Sequence, residues 1–242
     1  MVIKMKKVLS AYNQFMKEIW RDYMMSVCLF VPVLMGVLFR FGIPVLDKVL
    51  CSKLGFTTLL VPYYAIFDLL LASMTPMMFA FAGVMVMLEE FDNGIARFLI
   101  VTPLGKSGYL MSRLGLSMIL SAIYDMVLLY VCSLTKLSSI LVISISILSS
   151  FMGLIVSLLV VGFAHNKVEG MALTKLSGFS IFGLLAAFFI QKPIGVVAGI
   201  LPTYWIMKMQ MSNQNIYIVP AIVMELAWIT VLYKKFQKKL EL

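Results

Sequence analysis

Residues 59–90 read LLVPYYAIFDLLLASMTPMMFAFAGVMVMLEE, in which the single charge Asp68 interrupts an apolar run that stops at Glu89 and Glu90. About 20 apolar residues in a helix cross a hydrocarbon core of ~30 Å, so this stretch reads as a membrane span. Runs of the same kind recur at residues 24–39, 109–134, 139–164, 176–190 and 216–233. Of the 242 residues, 62% are hydrophobic and 13% charged, with a mean hydropathy of +1.02; soluble domains carry roughly 25% charged residues. Lipid tolerates helices or closed barrels, because backbone polar groups must pair internally. The runs are continuous rather than alternating, so the expected fold class is an all-α membrane protein with six transmembrane helices.

Working outward from the spans, residues 4–22 place Val8, Tyr12, Phe15 and Ile19 on one helical face and Lys4, Lys7, Gln14, Lys17 and Arg21 mostly on the other. That spacing predicts an amphipathic helix lying in the membrane interface. Residues 193–205 form an apolar stretch bracketed by Pro193 and Pro202. It is too short to span, and Gly195 and Gly199 permit close backbone approach, so a re-entrant hairpin before the last helix is expected, with Tyr204 and Trp205 anchoring its exit. The alternative is one long tilted span over residues 176–204, broken at Pro193. The chain therefore divides into an interfacial helix (1–22), spans one to five (23–190), an outer re-entrant segment (191–215), and span six with a basic tail (216–242). With the amino terminus inside, fourteen Lys and Arg fall on the inner side and six on the outer. This bias predicts a multi-pass cell-membrane protein with both termini cytoplasmic, and residues 89–108 and 165–175 become the inner loops.

Several function classes lack the residues they need. A net charge of +9 is scattered between apolar runs instead of gathered on a face for nucleic acid. Cys28, Cys51 and Cys132 stand singly and His165 is the only histidine, which gives no metal site, disulfide framework or acid–base pair. No G-x-x-x-x-G-K-S/T loop is present, so the chain is not expected to hydrolyse ATP or to act as an enzyme. Asp68 and Asp125 are the only pair to weigh for an intramembrane protease, and neither lies in a protease motif. Residues 1–22 are charged and lack a small-residue cleavage site, so no cleavable signal peptide is expected.

The inner loops carry the most specific pattern. The first reads LEEFDNGIARFLIVTPL (88–104) and the second NKVEGMALTK (166–175). Read physically, Glu89, Glu90 and Asp92 end a span where carboxylates become affordable at the surface. A short helix from Gly94 to Val101 would follow and stop at Pro103, which lacks an N–H. Both loops, in this order and with this topology, resemble those of ABC type-2 exporter permeases, and the resemblance covers nearly the whole chain. It implies that Glu89, Glu90, Gly94, Arg97, Pro103, Lys167 and Glu169 couple the membrane subunit to a cytoplasmic ABC ATPase. It further implies that ATP and Mg bind the partner ATPase, with no cofactor in this chain. The working unit would be two permease chains, a homodimer being favoured, with two ATPase chains. The chain departs from larger members in lacking big outer domains and a fused nucleotide-binding domain.

Charged residues inside the spans, Asp68, Arg113, Asp125 and Glu225, require a polar neighbour or a cavity. Asp125 is the deepest, and Asp68 and Asp125 are the candidates for the substrate path or for pairing between helices. Met74, Met77, Met78, Met85 and Met87 would supply an adaptable lining rather than a metal site. The expected function is outward movement of an amphipathic drug or peptide, driven by a separate ATPase. A membrane immunity protein or a secondary transporter is the alternative, although residues 1–120 and 121–242 show no convincing internal repeat.

Overall fold

A computed structural model describes residues 2–55, 58–102, 105–190 and 193–240. All the regular structure among them is helical. Six helical units are long and apolar enough to cross a membrane: Tyr23–Leu54, Val61–Asp92, Gly105–Cys132, Ser139–Phe163, Lys167–Phe189 and Asn215–Lys239. Their outward faces are apolar, with Val27, Phe30, Leu34, Tyr130, Ile140 and Val219 all exposed. Water would not tolerate such a surface; lipid does.

Helix α1 (Val2–Arg21) comes first and buries Phe15 and Ile19 against the bundle. It ends at an elbow where the Asp22 carboxylate accepts from the Met24 and Met25 amides at 2.9 and 3.4 Å, capping α2 (Tyr23–Val37). The sequence placed the end of this first span near residue 39. Instead the helix continues through a π-turn, Leu38–Gly42, into α3 (Ile43–Leu54). Arg40 does not stop it because its guanidinium donates to the Ser133 carbonyl at 2.7 Å.

Helix α4 (Tyr64–Asp92) is the most buried of the six and packs on α2, α7 and α8. Two short helices, α5 (Ile95–Val101) and α6 (Gly105–Leu110), then lead through a second π-turn, Met111–Gly115, into α7 (Leu116–Cys132). Helix α8 (Ser139–Phe163) lies so close to α4 that a Cβ added at Gly153 would sit 2.8 Å from the Pro76 carbonyl oxygen. The second inner loop of the sequence reading is itself helical: α9 (Lys167–Leu176) runs through a 3₁₀ turn, Ser177–Ser180, into α10 (Ile181–Phe189). The Asn166 side chain caps α9 by accepting from the Glu169 amide at 2.8 Å, which lets the fifth span start nine residues before the apolar run at residue 176.

The chain closes with a 3₁₀ segment, Pro193–Ile200, then α11 (Pro202–Ser212), a 3₁₀ turn at Asn215–Tyr217, and α12 (Ile218–Leu240) along α8. The bundle has two ends. One carries Glu89, Glu90, Asp92 and Lys167 and is called the motif end below; Asp68 and Thr135 meet at the other.

Candidate functional site

At the motif end the two loop motifs, far apart in sequence, form one surface. Lys167 pairs with Glu89 at 2.7 Å, and its backbone N–H donates to Asp92 at 3.2 Å. Glu169 accepts from the His165 amide at 2.8 Å and faces the His165 ring at 3.1 Å, so it closes the α9 cap from the other side. The Lys239 ammonium, from the basic tail of α12, donates to the Val161 carbonyl at 2.7 Å and to that of Ala164, at the C-terminal end of α8 where a cation is favoured.

Glu90 occupies a different position from Glu89. It is 3% exposed and forms an ion pair with Arg113, which is 2% exposed, through both the Nε and Nη2 donors. Tyr109 donates its hydroxyl to the same carboxylate at 2.8 Å. Arg113 also donates to the Ala11 carbonyl at 2.6 Å and lies over the Phe15 ring at 4.9 Å. Four segments, α1, α4, α6 and the π-turn before α7, are thus clamped by one buried pair. Glu18 of α1, in the cleft of about 420 Å³ between the α1–α2 elbow and the end of α4, has its carboxyl raised above the usual range by burial and then by the charge of Glu90, with Arg113 opposing.

Gly94 links α4 to α5 in the left-handed region, φ 72°. This geometry lets the chain turn between helices, and the neighbourhood of its Cα is open. The Arg97 side chain and Pro103 lie outside the described residues. Helix α5 buries Ala96 against the core, and it leaves Ile95, Phe98 and Val101 exposed in a row, Phe98 by 76% and Val101 by 81%. The sequence reading missed this ridge. Its signal was the i, i+3, i+6 spacing, hidden because Leu99 and Ile100 make the opposite face apolar too.

In the interior, Asp68 is engaged at the end opposite the motifs. Its carboxylate accepts from the Leu134 and Thr135 amides at 2.7 and 2.9 Å and from the Thr135 hydroxyl, tying α4 to the segment after α7. Asp125 is fully buried on α7. It faces the Thr75 and Ser146 hydroxyls, and neither closes to a full hydrogen bond. Glu225, 1% exposed on α12, likewise has no hydrogen-bond partner among the described residues. Neither Asp68 nor Asp125 lines the large apolar groove of about 590 Å³ between α2, α4 and the α9–α10 unit; Met24, Met74, Met77, Met78 and Met171 do, with Cys28 and Lys175. The methionine run therefore splits, since Met85 and Met87 are buried in the core.

Pro202 starts α11 with its side chain buried. Thr203 donates to the Ser180 carbonyl at 2.5 Å, while Gln210, two turns on, reaches the Thr135 hydroxyl at 3.4 Å. A Cβ at Gly183 would meet Leu201 at 2.8 Å, so α10 and α11 touch there. The Trp205 indole donates to the Gly199 carbonyl at 2.7 Å, and Trp228 of α12 donates to Ile200 at 2.8 Å. Trp205 thus fastens the turn between Pro193–Ile200 and α11, and Tyr204 is buried beside it. The exit of the segment lies beyond, at Asn213, in the left-handed region with φ 53°.

Six apolar helices with charged motifs gathered at one end define a multi-pass membrane protein. A family model described as fluoroquinolones export permease protein Rv2686c-like matches residues 15–233, and the chain belongs to this family of export permeases. Two relatives from Mycobacterium tuberculosis are the fluoroquinolones export permease proteins MT2760 (strain CDC 1551 / Oshkosh) and Rv2686c (strain ATCC 25618 / H37Rv). Each is 26% identical over 230 residues, covering 91% of this chain and 90% of the relative. The membership agrees with the resemblance to ABC type-2 exporter permeases. No solved structure matches the chain.

Proposed function

We propose that the chain is the membrane subunit of an ATP-driven drug exporter, powered by a separate cytoplasmic ATPase that binds ATP and Mg. The observation that carries this reading, beside the family, is the joining of Glu89 and Asp92 to Lys167 next to the exposed ridge of Ile95, Phe98 and Val101. An apolar ridge beside fixed charges is the form an anchored protein contact takes. In this reading the motif end faces the cytoplasm with both termini, the chain itself is not an enzyme, and two copies enclose the path.

The methionine groove is the substrate surface. Thioethers adapt to irregular apolar shapes and make favourable contacts with aromatic rings, and a volume of about 590 Å³ falls within the range of small-molecule sites, ~300–1,000 Å³. An amphipathic aromatic drug fits that lining, and Lys175 at its rim offers a positive charge to an acidic group. Since the relatives are named for fluoroquinolones, one of these is the natural probe. Helix α1 lies along the interface, and residues 193–212 act as a re-entrant element that closes the outer side.

The test uses inside-out membrane vesicles carrying the chain together with its cognate ATPase. ATP-dependent uptake of a fluorescent fluoroquinolone, abolished by a hydrolysis-deficient ATPase and insensitive to collapse of the ion gradients, is the expected result. Uptake that needs a gradient and no ATP would overturn the proposal.

A further inference from the structure

Four residues of the third span fall one turn apart, Arg113, Ser117, Ser121 and Asp125, and opposite them α8 presents Ser157, Ser150 and Ser146. Arg113, Ser117, Ser121, Ser150 and Ser157 line one small space of about 10 Å³, next to the close α4–α8 contact at Pro76 and Gly153. That is about the room one water needs. The seam starts at the Arg113–Glu90 clamp, and Asp125 lies one turn beyond Ser121, just past the residues that line that space.

Most of its hydroxyls donate to backbone carbonyls of their own helices, and Ser146 alone closes no hydrogen bond among the described residues. Ser117 donates to the Arg113 carbonyl (2.7 Å), Ser121 to Met118 (2.8 Å), Ser150 to Ile147 (2.6 Å), Ser157 to Gly153 (2.9 Å) and Thr75 to Leu71 (3.0 Å). What these side chains turn to their neighbours is oxygen lone pairs. At the end of the seam the carboxylate of Asp125, 0% exposed, has no closed hydrogen bond from the protein. Among the described residues, only the Thr75 and Ser146 hydroxyls face it from α4 and α8, and no charged group does so from α2, α4 or α8. On its own helix the nearest charge is Arg113, about 18 Å away at 1.5 Å per residue and already paired with Glu90. A buried carboxylate without a counter-charge is too costly to persist in hydrocarbon. A second copy of the chain cannot reach it, because the side chain is sealed inside one protomer.

We propose that Asp125, with the Thr75 and Ser146 oxygens, binds one small monovalent cation, sodium or a proton, that enters from the motif end along the serine seam. An all-oxygen site with one formal negative charge and no N–H donor selects a hard cation, and the complete burial of Asp125 disfavours a hydrated or organic one. This site is separate from the methionine groove and does not depend on the identity of the drug.

The experiment measures thermal unfolding of the purified full-length chain in detergent, with sodium exchanged for N-methylglucamine at constant ionic strength and at several pH values, for the native protein and Asp125→Asn. A melting temperature that rises several degrees with sodium, or with added protons, and a flat response in Asp125→Asn are expected; the first result assigns sodium, the second a proton. A native protein indifferent to both, or an Asp125→Asn variant that follows the native curve, would overturn the proposal. Thr75→Val keeps the volume while removing one oxygen. It is expected to shift the midpoint of the response several-fold, and an unchanged midpoint counts against the site even if Asp125→Asn fails to fold.

Discussion

Replacing Arg113 with Met removes the one cation that holds Glu90, and the structure sets the size of the loss. Both groups are nearly inaccessible, at 2% and 3% exposure, so solvent cannot take over either charge. Breaking such a buried pair from one side costs about 3–5 kcal/mol, since the remaining charge is left uncompensated. The hydrogen bond to the Ala11 carbonyl and the stacking on Phe15 go with it, which leaves α1 held by the burial of Phe15 and Ile19. For a chain of this size each kcal/mol moves the melting temperature by roughly 2–4 °C, so Arg113→Met should lower it by on the order of 6–20 °C. Glu90→Gln strands the opposite charge and should cost a comparable amount, while Glu90→Gln combined with Arg113→Met should recover much of the loss. Thermal unfolding in detergent over the full double-mutant cycle supplies the coupling energy. Additive single effects, each under about 1 kcal/mol, would show that the pair behaves as a surface ion pair and would refute the clamp.

Two further outcomes follow from the motif end. Phe98→Ser and Val101→Ser together should leave the melting temperature nearly unchanged, because both side chains are exposed, yet should abolish copurification of the ATPase; retained copurification removes the ridge from the proposed contact. Glu18 has a carboxyl raised in the fold by burial and by Glu90, so its contribution to stability is present below the ordinary glutamate range and is lost as pH rises through the raised value. Glu18→Gln should accordingly flatten the stability–pH curve in that window, and an identical curve for native and variant would count against the assignment.

The spans were legible because six long apolar runs leave few alternatives in lipid, and the ends of α8 could be read almost to the residue. The first span was underestimated because Arg40 reads as a terminator, while in the fold its charge rests on a carbonyl contributed by residue 133. Long-range compensation of that kind leaves no local trace. The fifth span was shortened for the opposite reason, since the polar opening of α9 reads as loop until the Asn166 and Glu169 caps are seen to make it helix. At the site, sequence grouped Glu89 with Glu90 as neighbours of equal kind. Successive helix positions point about 100° apart, so one meets Lys167 at the surface and the other turns inward to Arg113. Asp125 reads as the deeper of the two on sequence, yet Asp68 and Asp125 are candidates there for the same roles. Their difference lies in what other segments bring to them, two amides and a hydroxyl for the first and two hydroxyls that close no full hydrogen bond for the second.

These placements bear on how motion at one end could reach the other. Helix α4 is held at its first turns by Asp68 and at its last by Glu89 and Glu90, and midway its backbone meets α8 at Pro76 and Gly153 with no room for even a methyl group. Pro76 interrupts the backbone hydrogen bonding of α4 at that midpoint, and the close contact with Gly153 of α8 braces the helix there, because packed interiors are not continuously deformable. On the proposed function, a displacement that the ATPase imposes through Lys167 and Glu89 would be passed along α4 to Met74, Met77 and Met78, which line the groove from the same helix. On that reading the close contact at Gly153 keeps α4 and α8 in register. On the proposed function, the groove is reshaped from the motif end through α4, with the Glu90–Arg113 clamp making α1 and the start of the third span move with it.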